Sequence, residues 1–250
     1  SSIKYIGDNV GDDLYTLKDK KYNDFIDLLI DIKNTSVNSK QLEILIKLNF
    51  FSEFGEINTL LAQTDYFDKV YGKKQFKIDK LEELGLPKDI VKSHCKKQTE
   101  KIWKDFDSIS LLKDIVKNVD YKETSILDIF NYQQELYGYV SYTQPTANKR
   151  LYYVSDINST KYLTTITLFE IYSGKTRTVK MWTSAYNRNP FNKGLILYII
   201  SLEKKNKKEP TGEINPVTGK KIYKEVPDKF EFWLSKFVIK NDIEEDEDDI

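Results

Sequence analysis

The chain has 250 residues, 40% of them hydrophobic and 13% aromatic, enough apolar side chain to bury one large core or two ordinary ones. Basic and acidic residues balance at 39 each, but unevenly: residues 1–147 carry 21 basic and 24 acidic side chains, residues 148–243 carry 18 and nine, and Glu244 to Asp249 are six acids in a row. One cysteine (Cys95) and one histidine (His94) exclude an internal disulfide and a Cys- or His-rich metal cluster, so no cofactor is expected, and without an apolar run of about 18 residues or a signal-peptide pattern a cytoplasmic protein with no membrane partner is expected.

Ile3-Lys4-Tyr5-Ile6-Gly7-Asp8 reads as a tight turn opening onto a helix through Leu14 and Leu17, with Asp8 as its cap. Such a turn presents free backbone N–H groups suited to phosphate. Phe25 to Ile32 has helical periodicity, Asn34-Thr35-Ser36 breaks it, and Asn38 or Ser39 caps a further helix over Lys40 to Leu48 with Leu42, Leu45, Ile46 and Leu48 as its stripe. Gly55 stops that unit, and the two short helices form a helix-hairpin-helix pattern.

Residues 56–122 read as one longer helical segment, punctuated at Gly72 and Gly85-Leu86-Pro87, with Ile90, Val91, Ile102, Trp103, Phe106, Leu111, Leu112, Ile115 and Val116 as candidate core. Asp105 and Asp107 would diverge on a helix, so a shared metal is not expected of them. Residues 123–147 are a connector.

The basic part begins there. Leu151 to Ile157, Tyr162 to Tyr172, Lys175 to Trp182, Leu195 to Leu202 and Phe230 to Ile239 read as five strands, with Ser173-Gly174 turning the second into the third. In the third, Val179 and Met181 share one face, and Thr178, Lys180 and Trp182 the other. Five strands are the number used by an oligonucleotide-binding (OB) barrel, whose second and third strands, with two flanking loops, meet single-stranded nucleic acid. On that reading Lys161, Lys175, Arg177 and Lys180 contact the backbone and Trp182 or Tyr162 stacks on a base. A long loop before the last strand carries Lys204, Lys205, Lys207, Lys208, Lys220 and Lys221, with turn signals at Asn215-Pro216 and Thr218-Gly219.

IKYIGDNVGDDLYTL, FIDLLIDI and VNSKQLEILIKLNFFSEFG, in that order, resemble the helix-hairpin-helix region of the alpha subunit of bacterial DNA polymerase III, which typically reads IKGVG and then VNKRVLEALIKAGAFDSLG. The likeness lies at Ile3, Lys4, Gly7, Val37, Asn38, Leu42, Glu43, Leu45, Ile46, Lys47, Phe51 and Gly55, and departs at Tyr5 and at Asn49-Phe50, where the family has Gly and Gly-Ala. Gln133 to Pro145 is similar to the family's EKEVLGFYLSGHP, TLFEIYSGKTRTVKMWTSAY to its barrel core, and Gly194 to Ser201 to the strand after it. Leu127-Asp128-Ile129-Phe130 resembles the short peptide by which such subunits hold the sliding clamp, with Ile126 where glutamine is usual. No stretch resembles the catalytic palm.

The resemblance and the strand pattern together imply an α+β chain with a helical domain with helix-hairpin-helix elements (1–122), the connector with its possible clamp-binding peptide (123–147) and a five-stranded OB-fold β-barrel (148–241), and the run of acids reads as an acidic disordered tail (242–250). The resemblance implies a non-catalytic part of a replicative polymerase that positions duplex and single-stranded DNA, with Lys4, Gly7, Asn38 and Lys40 as further DNA contacts and the clamp and other replisome subunits as partners. The competing reading is a replisome scaffold whose barrel binds protein and whose lysines serve solubility.

Overall fold

The computed structural model describes residues 3–240 and Ile243; the acidic tail lies outside them, apart from Ile243. The chain is mixed α+β, with nine helices and two sheets, one of five strands, among the described residues. It divides after Thr124 into two compact units.

The first unit is mostly helical. Helix α1 (Asp8–Tyr15) has Gly7 as its N-cap, one residue before the expected cap. Asp24 caps α2 (Phe25–Ile32) by accepting from the Asp27 N–H at 2.9 Å. Helix α3 (Ser39–Lys47) opens with a reciprocal box: Asn38 Oδ1 accepts from the Gln41 N–H, and Gln41 Oε1 from the Asn38 N–H, both at 3.0 Å. The buried stripe of α2 is Phe25, Ile26, Leu28, Leu29 and Ile32; that of α3 is Leu42, Ile44, Leu45 and Ile46, with Leu48 only half-buried. Helix α4 (Ile57–Val70) packs against both.

The expected helical run over 56–122 is interrupted by a three-stranded antiparallel sheet, β1 (Gln75–Lys77), β2 (Lys97–Gln98) and β3 (Ile102–Lys104), in the order β1-β3-β2. Period two won over period 3.6 here because Phe76 and Trp103 sit opposite one another and are both buried, while their neighbours Gln75, Lys77 and Lys104 are exposed. The short helices α5 (Ile78–Leu81) and α6 (Lys88–His94) lie between β1 and β2, and α7 (Ser108–Lys117) follows β3. Asp105 and Asp107 are therefore not helical neighbours: Asp105 has φ 66° and pairs with Lys97 at 3.3 Å, while Asp107 caps α7 through the Ile109 N–H. His94 Nε2 lies 2.9 Å from Asp114, and burial pushes the Cys95 thiol up.

The second unit begins with α8 (Ile126–Leu136), capped by Ser125. Then follow β4 (Leu151–Ser159), β5 (Leu163–Glu170), β6 (Thr176–Trp182), a single helical turn α9 (Thr183–Tyr186), β7 (Ile196–Ile214) and β8 (Lys221–Lys240). The pairing order is β4-β5-β6-β8-β7, and β7 pairs back to β4. All contacts are antiparallel except β6 with β8.

Alternation sorts the apolar residues into two layers. Tyr152, Val154, Ile166, Leu168, Val179, Met181, Leu197, Ile199 and Leu234 pack together on the inner face. Their neighbours Leu151, Tyr153, Phe169, Ile196 and Tyr198 form a second cluster with Phe130 of α8, so the helix covers part of the outer face. Gly174, at φ 73°, makes the β5–β6 turn; a Cβ there would stand 2.9 Å from the Thr143 methyl.

The lysine-rich stretch before the last strand, expected as a loop, is strand instead. β7 and β8 stay paired out to Ile214↔Lys221, so they run on past the sheet as a two-stranded ribbon. Alternating cross-strand partners such as Glu209 with Lys224 and Pro210 with Tyr223 supply the pairing that composition alone reads as loop.

Candidate nucleic-acid interface

The outer face of β6 and β8 carries an aromatic and ionic cluster. The parallel register sets Lys180 beside Trp233, two residues before Trp182 on the same face of β6. The rings of Trp182 and Trp233 lie 4.8 Å apart, inclined at 45°, and Trp182 is 56% exposed. The Trp233 indole N–H donates to Glu231 Oε1 at 3.1 Å, and the other carboxylate oxygen of Glu231 takes the Lys180 ammonium. The Lys205 ammonium stands 4.9 Å over the Trp233 ring and pairs with Glu203 at 3.0 Å. Thr165, opposite Lys180 on β5, and Thr178 on β6 border the cluster.

Charge on this wall is balanced. Burial acts to raise the Glu231 carboxyl, but the hydrogen bonds from Lys180 and Trp233 outweigh it and hold the group below the usual carboxylate range. Lys180 is thus partnered by an ionised neighbour, with side-chain exposures of 28% for the lysine and 19% for the glutamate.

The four cations expected to line one strand pair do not converge. Lys161 sits in the β4–β5 turn with its ammonium 5.3 Å from the ring of Tyr162, which is exposed; the Tyr162 carbonyl accepts from the Thr183 N–H, tying this turn to the Trp182 end of β6. Lys175 lies at the other end of the β5–β6 hairpin, about 20 Å away over six or seven residues of strand. Arg177 has the parity of Val179 and Met181, and its guanidinium lies against the rings of Tyr152 (5.8 Å) and Phe232 (5.4 Å) at the end of the inner core. It belongs to the core's rim rather than to the outer wall.

The remaining candidates scatter along the ribbon. Lys204 covers the Phe230 ring at 3.6 Å, Lys207 pairs with Glu209 at 2.7 Å, and Lys208 with Glu225 at 3.5 Å. Lys220 and Lys221 are exposed beside the tip turn. In the helical unit, Lys4, Gly7, Asn38 and Lys40 come from two segments that meet: Lys40 lies 4.2 Å over the Tyr5 ring, and Asp13 of α1 accepts from the Ser36 N–H at 2.8 Å. Asn38 is occupied by its capping box.

Leu127, Asp128, Ile129 and Phe130 fall on the first turns of α8. Phe130 is fully buried, with ring centroids 5.3 Å from Tyr153 and 5.9 Å from Phe169, and Leu127 packs on the same cluster. Asp128 and Ser125 hydrogen-bond each other at the helix start.

Neither a family model, nor a curated protein, nor a solved structure matches the chain. Two residues of the wall, Glu231 and Trp233, escaped the sequence reading although FEFWLSK alternates clearly enough to place both opposite Phe232 and Leu234. No helix among the described residues is long and apolar enough to cross a membrane, and no group of three or more His, Cys, Asp or Glu among them could hold a metal.

Proposed function

We propose that the chain is a non-catalytic, DNA-handling part of a bacterial-type replicative polymerase, in which the second unit is an OB barrel holding single-stranded template. The observation that carries this reading is the Trp182–Trp233 pair, Trp182 exposed and Trp233 half-buried, with Lys180 and Lys205 around it. Tryptophan faces beside lysines are what single strands stack and slide on. The strand order supports the barrel assignment: β5 and β6 stand where an OB barrel keeps its second and third strands, and the turn at Lys161-Tyr162 and the β7–β8 ribbon stand where it keeps its two binding loops.

The polymerase part of the proposal draws on the helical unit. Tyr5 and Asn49, where the family's pattern has glycine, have φ 67° and 63°. The backbone thus adopts the left-handed shape that glycine serves, and α3 ends in the corresponding turn, with Phe50 N–H on the Leu45 carbonyl and Asn49 N–H on that of Ile46. On this reading the helix-hairpin-helix elements around Lys4, Gly7, Asn38 and Lys40 face duplex. Leu127 to Phe130 take no part as a clamp peptide, since Phe130 would have to leave its core to reach a partner.

Titrating a short oligothymidylate while following tryptophan fluorescence tests the reading. Quenching is expected, and Trp182→Ala should weaken binding by about 1–3 kcal/mol, roughly 5- to 150-fold. One observation favours the competing protein-binding reading: Lys180, Lys205, Lys207 and Lys208 all have carboxylate partners within the unit. Absence of quenching at low salt, with binding to another replisome subunit lost in Trp182→Ala, would decide for it.

A further inference from the structure

The β7–β8 ribbon has a built tip and an unused surface. From Asn206 to Ile214 it runs nine residues, about 30 Å, past the last contact of β8 with β6. Its end is a closed turn: Asn215 Oδ1 accepts from the N–H groups of Val217 (2.9 Å) and Thr218 (3.0 Å), Gly219 N–H reaches the Asn215 carbonyl, and Asn215 N–H reaches that of Lys220. Gly219 supplies the left-handed residue at φ 64°. This turn holds Val217 outward at 91% exposure, with Ile214 at 63%, between Pro216 and the Lys220–Lys221 pair.

Residues 204–229 carry eight lysines against four Asp and Glu, so the arm is positively charged, and its lysines occur on both strands along its length. A two-stranded ribbon is marginally stable alone in water, so its order and its apolar point both call for a partner. A basic arm ending in a small apolar wedge fits duplex DNA: lysines follow phosphates, and the wedge enters between base steps from the minor groove and kinks the helix. A membrane fits less well, because the tip offers two aliphatic side chains while the cations extend far from it.

We infer that the ribbon is a duplex-binding arm, with Lys220, Lys221 and Lys224 on the phosphates and Val217 as the wedge. This rests on the nucleic-acid reading of the same unit but not on the tryptophan wall. The test uses the full chain and a duplex of about 25 base pairs labelled at both ends for energy transfer, beside the oligothymidylate titration. Wild type should bind the duplex and bring its ends together; Val217→Ser should bind within about threefold yet leave the duplex straight. Lys220→Glu with Lys221→Glu should weaken duplex binding at least tenfold and lower the salt slope by about 1.8, from about 0.9 per phosphate contact. Val217→Ser should not change tryptophan quenching by the single strand, because the tip stands about 30 Å of ribbon beyond the last contact of β8 with β6. Unaltered bending by Val217→Ser, a duplex that wild type never bends, or a preference for phosphatidylglycerol vesicles over duplex would overturn the inference. Bending without tryptophan quenching would support the arm and count against the wall.

Discussion

Glu231→Gln separates the two readings of the tryptophan wall most sharply. The carboxylate occupies the position a DNA phosphate would take beside Lys180 and the Trp233 indole N–H. A phosphate touching Lys180 would stand about 6 Å from the carboxylate, where repulsion between unit charges is about 0.7 kcal/mol at the dielectric of water and about 2.8 kcal/mol at an effective value of 20. The wall is partly exposed, so about 1 kcal/mol is the fair figure, or roughly fivefold tighter binding of a single strand once the charge is removed. Glutamine can still accept from the indole, while Lys180 is released to contact one more phosphate, which steepens the salt slope by about 0.7. The loss of a charge-assisted bond costs stability on the order of 1–2 kcal/mol, which a folded domain withstands. Oligothymidylate titrations at several potassium chloride concentrations measure both effects. Lys180→Ala should change wild-type affinity less than twofold but should erase the gain in the Glu231→Gln background, because the two residues act as a pair. Unchanged or weaker affinity and an unchanged slope in folded Glu231→Gln would mean that Lys180 meets no phosphate, and the carboxylate would then belong to a surface for a basic protein partner.

Two further outcomes concern the scaffold. A left-handed tyrosine costs about 1–2 kcal/mol, so Tyr5→Gly, even after losing the Lys40 contact with the ring and gaining chain entropy when unfolded, should raise stability toward denaturant by about 0.5 kcal/mol; Tyr5→Ala, which keeps the Cβ, should not, and equal effects would refute the backbone argument. Burial pushes the Tyr153 hydroxyl up to about 12, against about 10 for an unfolded tyrosine. Between those values only the unfolded chain gives up the proton, so this contribution to stability is complete below about pH 10 and declines as pH rises. Tyr153→Phe loses the bond to Asn131 Oδ1, at about 1 kcal/mol near neutral pH, yet it should gain about 1.4 kcal/mol on wild type by pH 11, enough to reverse that deficit. A gap that stays constant with pH would assign the alkaline sensitivity elsewhere.

Where one residue and its neighbours settle the conformation, the sequence is readable. LTTITLFE alternates, and Ile166 and Leu168 go inward while Phe169 joins the outer cluster; Ser173-Gly174 turns the chain because Gly174 takes a positive φ. The same rule put Arg177 with Val179 and Met181, yet its charge suggested an outward role, and the rings of Tyr152 and Phe232 that receive it come from strands distant in sequence. The ribbon failed for a related reason. KKNKKEPTG has the composition of a loop, and what makes it strand is pairing with residues 13 to 28 positions away. In residues 75–104, Phe76 and Trp103 are 27 positions apart, and no local pattern announces that they will face each other.

Charge alone does not say what a lysine meets: Lys180 and Lys208 pair with Glu231 and Glu225, distant in sequence, while Lys205 and Lys207 pair with Glu203 and Glu209, two residues away. Conformational requirements carry more. Asparagine at a left-handed helix end is common enough that Asn49 alone says little, but tyrosine there is strained, and nothing in its own side chain asks for it. We read the tyrosine at φ 67°, in the position where the polymerase pattern has glycine, as agreeing with the proposed resemblance.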